Sequence, residues 1–295
     1  MIINDDCFSY LSKIESNSID LILVDFPFYG FNIGLKIELK IIYHMKYGKK
    51  WKRILMNTSY KVINCNCFDY IREIESNSID VIITDPPYLI SKESGFKNYS
   101  DNATDEIRKK FGNISIDFGA WDKQELDWDL LFNEYYRILK KGGTLIFFFD
   151  IWKSSMIKEV AEKNKFKQLR VCQWQKSNPV PINSKLNYLS NAIEYFFSFV
   201  KEGKPTFNSE YDNGVYKYPI CHGKERYDHP TQKPLELIKD LIKKHSKEGD
   251  LVLDTFAGTG TTGHAALLLN RKFILIEQNL EYYQIIQDRL NKVNI

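Results

Sequence analysis

The stretch "VIITDPPY" (81–88) sets an acid and two prolines directly after a short apolar run. Such a run reads as a buried strand, and open α/β sheets bind ligands at the carboxyl ends of their strands. Pro86 and Pro87 have no N–H to donate and they stiffen the turn, which leaves carbonyl oxygens to point into a cleft. Asp85 and a neighbouring carbonyl could together accept both hydrogens of an amino group. Tyr88 offers a flat surface on which a base can stack. Acceptors beside a stacking ring suit the exocyclic amine of a flipped-out nucleobase. Alone, the cluster would read first as a plain strand-ending turn.

A second stretch, "LVLDTFAGTGTTGHAALLLNRKFILIE" (251–277), has the form of a nucleoside site. An apolar strand ends at Asp254, a turn with Gly258, Gly260 and Gly263 follows, and then a helix. Glycines there let the backbone approach a ligand closely. The next strand ends in Glu277, an acid at the strand edge suited to ribose hydroxyls. The literal G-x-G-x-x-G string would also suit a dinucleotide enzyme.

Taken in this order, with "HPTQKP" (229–234) just ahead of the glycine turn, the motifs resemble the S-adenosylmethionine-dependent amino-methyltransferases of DNA. The permuted order is that of the group called the beta class. The resemblance runs from about Lys61 to the C-terminus and takes in "IDFGAWD" (116–122) and "WQKSNPVP" (174–181). It implies that Asp85, Pro86, Pro87 and Tyr88 are catalytic. It implies that Phe256, Ala257, Gly258, Thr259 and Gly260, flanked by Asp254 and Thr261, hold the methionine part of S-adenosyl-L-methionine, and Glu277 its ribose. Thr231, Gln232 and Lys233 would open a helix facing the cofactor's carboxylate, as a helix dipole favours. Pro234 suits a first helical turn, although this stretch also reads as an ordinary helix cap.

In the family that the chain resembles, the aspartate form of the catalytic motif is more usual in adenine enzymes, so the resemblance implies adenine-N6 over cytosine-N4, with a catalytically inactive DNA-binding relative as the further alternative. Double-stranded DNA is the implied partner; a cognate restriction endonuclease and a homodimer remain open. His229 reads as a helix cap or a contact to DNA or cofactor, and Trp121 and Trp174 as base-pocket walls or plain packing. Asn66 stands where the family often has an acid. None of the five cysteines follows a proline, which disfavours the covalent chemistry of carbon-5 cytosine methylation.

The elements that must hold these motifs alternate. Strands are expected at 81–84, 144–149, 192–200, 251–254 and 273–276, and helices at 130–139, 154–164, 235–245, 263–269 and 280–293. This βα alternation predicts an α/β fold, a doubly wound, mostly parallel sheet of the Rossmann-like methyltransferase type, with a small inserted target-recognition region. "KKGG" (140–143) reads as a helix end and a glycine break before a strand. The glycine-rich stretches 90–121 and 201–227 read as long loops, with 201–228 the candidate for target recognition.

Bulk properties set the surroundings. Hydrophobic residues make up 43% of the 295, ample for a core, and the net charge of +3 is too small to demand a polyanionic partner. An odd count of cysteines without a Cys-x-x-Cys pair argues against disulfides, and the chain offers no ligand set for a metal. Neither a signal peptide nor a membrane-spanning run is read, so a soluble cytoplasmic protein is expected.

The N-terminal part poses its own question. "IESNSID" occurs at 14–20 and again at 74–80, and residues 2–28 match 62–88 at fifteen of twenty-seven positions. Phe26 and Phe28 replace the first proline and the tyrosine, and no cofactor half follows. Residues 1–60 therefore read as a partial duplication with a non-catalytic Asp25, ahead of a methyltransferase domain at 61–295. The eight Lys/Arg from Lys36 to Lys61, against the single Glu38, read as a solvated face or as a contact to DNA.

Overall fold

The apolar runs become strands because the sheet they build is covered on both faces. The computed structural model describes residues 42–47, 50–55, 60–87, 96–97, 113–114, 126–179, 191–227 and 231–293. The chain divides into two units, Met1–Ser59 and Tyr60–Ile295. In the first unit, β1 (Ile42–Tyr47) and β2 (Lys50–Leu55) pair antiparallel within the basic run. The first copy of the repeat, with Asp25, lies outside the described residues.

The second unit is built on an eight-stranded sheet. Its strands are β3 (Tyr60–Asn64), β4 (Ile79–Thr84), β7 (Leu139–Phe149), β8 (Lys167–Lys176), β9 (Ile193–Val200), β10 (Val215–Tyr218), β11 (Leu251–Asp254) and β12 (Lys272–Glu277). They lie in the order β10-β8-β9-β7-β4-β11-β12-β3. The pairs on either side of β9 are antiparallel and the other five are parallel. A separate two-residue ladder joins β5 (Phe96–Lys97) to β6 (Asn113–Ile114).

Alternation within each strand sends neighbouring side chains to opposite layers. Ile82, Leu145, Phe147, Phe197 and Leu253 join one core with α1 (Cys67–Ile71), α2 (Trp128–Ile138) and α3 (Ser154–Lys163). Val81, Ile83, Ile146, Phe148, Phe196 and Val252 join the other. Its helices are α4 (Leu235–His245), α5 (Thr261–Leu268) and α6 (Leu280–Asn291). The fold is the expected doubly wound α/β type. The cysteine thiols at 65, 67, 172 and 221 are all unbridged.

Several elements differ from the sequence reading. β9 is antiparallel to both neighbours, because a run buried on both faces carries no mark of direction. "KKGG" does not precede a strand but bulges out of one. Ile79 faces Leu139 and Val81 faces Thr144, so the residues between are looped out of the ladder. Gly142 there takes φ +79° and its N–H donates to Lys201 O at 2.7 Å. The stretch read as a loop at 201–227 contributes β10 and a single 3-10 turn at Gly223–Glu225.

The second "IESNSID" is a fixed corner between α1 and β4. Ile74 is buried, Asn77 adopts φ +55°, and the Asn77 side-chain oxygen accepts from Lys201 Nζ at 2.8 Å. Asp80 then accepts from Lys140 Nζ and from Leu251 N at 2.9 Å, tying β4 to the strands on either side.

A Cβ at Gly142 would lie 2.5 Å from the Lys204 carbonyl oxygen, and the left-handed backbone itself disfavours a side chain. Gly142→Ala is therefore expected to destabilise the domain by about 1–3 kcal/mol, read as a lowered thermal midpoint.

Candidate active site

Three carboxylates gather where three adjacent parallel strands end. Asp85 follows β4, Asp254 closes β11 and Glu277 closes β12. Parallel register brings all three to one edge, lining one cleft of about 330 Å³. Like charges this close must be compensated or neutralised, and each is handled differently.

Glu277 is held by backbone. Its Oε2 accepts from Gly258 N and its Oε1 from Asn279 N, both at 2.7 Å. Burial pushes its pKa up to about 7, against the pull of those two N–H groups. Asp254 is 6% exposed, and its oxygens accept from Thr262 Oγ1 at 2.6 Å and Phe256 N at 3.1 Å. Burial pushes it up to about 6, with Asp85 adding to the rise.

Asp85 has a cation. Lys233, 7% exposed, forms an ion pair with it and a second one with Glu194 on β9 at 3.2 Å. Burial alone would lower the Lys233 pKa, but Asp85 and Glu194 outweigh it and hold the ammonium above its ordinary range. Glu194 in turn pairs with Lys176 on β8 at 2.9 Å. Four alternating charges thus run from the end of β4 to the end of β8.

The glycine turn is shaped by backbone that only glycine adopts easily. Gly258 and Gly260 have φ +52° and +78°, and Gly260 precedes α5 as its cap. A Cβ on Gly263 would lie 2.6 Å from Leu275 Cδ1, so the third glycine sets how closely α5 packs on β12. Beneath the site, Tyr135 Oη and Thr84 Oγ1 lie 2.5 and 3.0 Å from Thr255 Oγ1, joining α2, β4 and the end of β11.

Most of the residues singled out in the sequence meet in this cleft: Asp85, Pro86, Pro87, Thr231, Gln232, Lys233, Asp254, Phe256, Ala257, Gly258, Thr259, Thr261 and Glu277. Gly260 shapes the turn from behind. Tyr88, Trp121 and His229 lie outside the described residues. Trp174 is packed within the sheet's core, 2% exposed, with its Nε1 donating to Tyr218 O. Asn66 lines the cleft as the cap of α1, accepting from Phe68 N and donating to Gln278 Oε1 at 3.2 Å. Cys67 lines it too, but burial pushes its thiol up to about 12, leaving a protonated wall instead of a nucleophile.

The turn before α4 departs from the sequence reading. The helix starts at Leu235, with Pro234 as its cap residue instead of a member of the first turn. The Glu225 carboxylate already accepts from Leu235 N at 2.6 Å, and Gln232 bonds the backbone of Glu225 and Tyr227. Arg289 was missed altogether. It is 2% exposed, donates to Thr259 O and Thr261 Oγ1, and stands 5.0 Å from the Tyr227 ring centre. Its place on α6, far along the chain from the turn it braces, left no signal in the local pattern.

A family model described as "DNA methylase", of the N6 and N4 type, matches residues 79–288. The chain belongs to this family. The Type II methyltransferase M2.MboI of Moraxella bovis is 31% identical over 80% of this chain and 89% of its own length. M2.LlaDCHI of Lactococcus lactis subsp. cremoris is 30% identical over 82% of this chain and 96% of its own. Among solved structures, the complex of M1.HpyAVI with SAM is similar at a TM-score of 0.59 and 26% identity. That match covers 79% of this chain and 99% of the other. S-adenosylmethionine is accordingly the methyl donor of this DNA methylase. Among the described residues, no helix is long and apolar enough to cross a membrane.

A carboxyl whose folded pKa lies above its unfolded value stabilises the fold below the unfolded value, and loses that contribution as pH rises through the folded one. For Glu277 the window runs from 4.5 to about 7. The thermal midpoint of the ligand-free methylase should therefore fall as pH rises from 4.5 to about 7, and Glu277→Gln should flatten that fall. A remaining slope belongs to Asp254, whose shift has the same sign.

Proposed function

We propose that this methylase transfers the methyl group to N6 of an adenine flipped out of double-stranded DNA. The observation that carries the reading is the meeting, in one cleft, of the Asp85-Pro86-Pro87 acceptors with the glycine turn and Glu277. The chain's own residues fit the cofactor. Glu277, fixed by two N–H donors, keeps lone pairs for ribose hydroxyls. Thr259 lines the cleft, and its buried hydroxyl has no hydrogen-bond partner among the described residues. We assign the turn from Phe256 to Gly260, with Asp254 and Thr261, to the methionine part, together with Thr231.

S-adenosylmethionine, when bound, supplies an electrophilic methyl group. An aromatic amine is a poor nucleophile because its lone pair is delocalised into the ring. Asp85 and the Pro86 carbonyl accept the two amine hydrogens and favour a pyramidal nitrogen with its lone pair exposed. Tyr88 stacks on the base. Positioning and electrostatics then do the catalytic work, without a covalent intermediate on the protein. Asp85 is also the base placed to receive the proton that the amine gives up.

The choice of adenine rests on aspartate, and not serine, heading the catalytic motif. Target reading is assigned to 201–228, whose strand β10 ends at the same sheet edge as β4 because an even number of reversals separates them. The Type II relatives support a companion endonuclease of the same target. The family match begins at 79, inside the second copy of the repeat, which supports Asp25 as a remnant.

Tritiated methyl transfer to DNA, followed by nucleoside analysis, tests the reading. Label in N6-methyladenine is expected, with Asp85→Ala reducing the rate by at least about 10²–10³-fold and Asp25→Ala leaving it unchanged. Label in N4-methylcytosine would overturn the choice of base. Binding of S-adenosylmethionine should strengthen as pH rises through about 7 and lose that dependence in Glu277→Gln, measured by calorimetry.

A further inference from the structure

We propose that Lys233 and Glu194 are positioning residues for the catalytic carboxylate: Lys233 orients Asp85 in its ionised form, and Glu194 anchors Lys233. This rests on the reading of Asp85 as the acceptor of the target amine. It differs from the assignment of Lys233 to the cofactor that the motif resemblance implies.

The argument begins with what the ammonium touches. Lys233 is 7% exposed, and its Nζ contacts Asp85 Oδ2 and Glu194 Oε2. Its remaining surroundings include the Phe148 ring, whose centre is 5.0 Å from Nζ. A buried lysine held by two carboxylates is not a mobile cation waiting for a ligand. The contact is with Oδ2, so the ammonium fixes how the Asp85 carboxylate is turned.

The anchor matters as much as the contact. Lys233 precedes α4 in a turn, not in a rigid helix. Glu194 fixes it from β9, and Lys176 on β8 balances Glu194. Among the described residues, the charged groups around Asp85 include Lys233 from the turn before α4, Asp254 from β11, and, through Lys233, Glu194 and Lys176 from the sheet. Asp254 disfavours ionisation of Asp85 and Lys233 opposes it. Without Lys233 the two neighbouring acids would lose the cation that pairs with Asp85, and ionising both would become more costly.

Asp85 must be ionised to accept from the amine, so its pKa sets the acidic limb of the activity profile. Removing an adjacent opposite charge raises a carboxyl's pKa by about 1–3 units. Lys233→Gln should therefore move the acidic limb of kcat/KM upward by that amount, and Lys233→Arg should restore it. Glu194→Gln removes a negative charge behind Lys233 and should move the limb the other way while lowering kcat. S-adenosylmethionine affinity, measured by calorimetry on each variant, should stay within about threefold of wild type, under 1 kcal/mol by the tenfold-per-1.4 rule.

The Asp85 carboxyl is also titrated directly, by carbon-13 NMR of aspartate-labelled protein, assigned with Asp85→Asn. That readout needs no turnover, so it judges the positioning role even if methylation of DNA is not seen. An upward shift of the Asp85 titration in Lys233→Gln supports the proposal. An unmoved titration overturns it, as does a tenfold or greater loss of cofactor affinity with the limb in place, which would return Lys233 to the cofactor.

Discussion

Three acids at the ends of three neighbouring parallel strands form the constraint around which this protein is organised. A parallel sheet delivers every strand end to the same edge, so it concentrates whatever those ends carry. Here it concentrates negative charge in a cleft that is partly closed to water. Glu277 is stabilised by backbone N–H groups, Asp254 by a hydroxyl and an N–H, and Asp85 by a lysine. The three solutions suit three tasks. Backbone donors hold a carboxylate still, a hydroxyl tolerates a protonated neighbour, and a cation keeps an acceptor charged.

Much of this was legible in the sequence because the signals are local. The apolar run, the glycines and the closing acid of 251–277 specify β11, the turn, α5 and β12 within one short stretch. The prolines after Asp85 mark the end of β4 in the same way. Other elements carried no such mark. β8 reads "KQLRVCQWQK", too polar for a buried run, because part of it faces solvent. α1 has five residues and β10 has four, too few for a period to show. The ion pairs of Lys233 join residues 148 positions apart in one case. Arg289 braces the glycine turn from about thirty positions away. No local pattern announces contacts of that range.

The duplicated lead-in gains a physical reading from the sheet order. The second "IESNSID" works as a corner because α2, β7, β11 and the residue after β9 supply its partners: Arg137 and Lys201 meet Asn77, and Lys140 and Leu251 meet Asp80. The sheet has one position between β7 and β11, and Ile79–Thr84 fills it. The sequence match between residues 2–28 and 62–88 does not extend to Arg137, Lys140, Lys201 or Leu251. Sequence identity between the two heptapeptides is therefore no guide to equivalence of the sites that follow them.

The reversal at β9 reaches beyond the sheet's hydrogen bonds. Because β8 runs toward the edge that carries the three acids and β9 runs away from it, the connection between them begins where those strand ends gather. Crossovers between parallel strands must travel the full height of the sheet, and any change in their length is felt by the helix they contain. A hairpin at the rim has no such obligation. Its length can change while the eight strands and their charges stay in register.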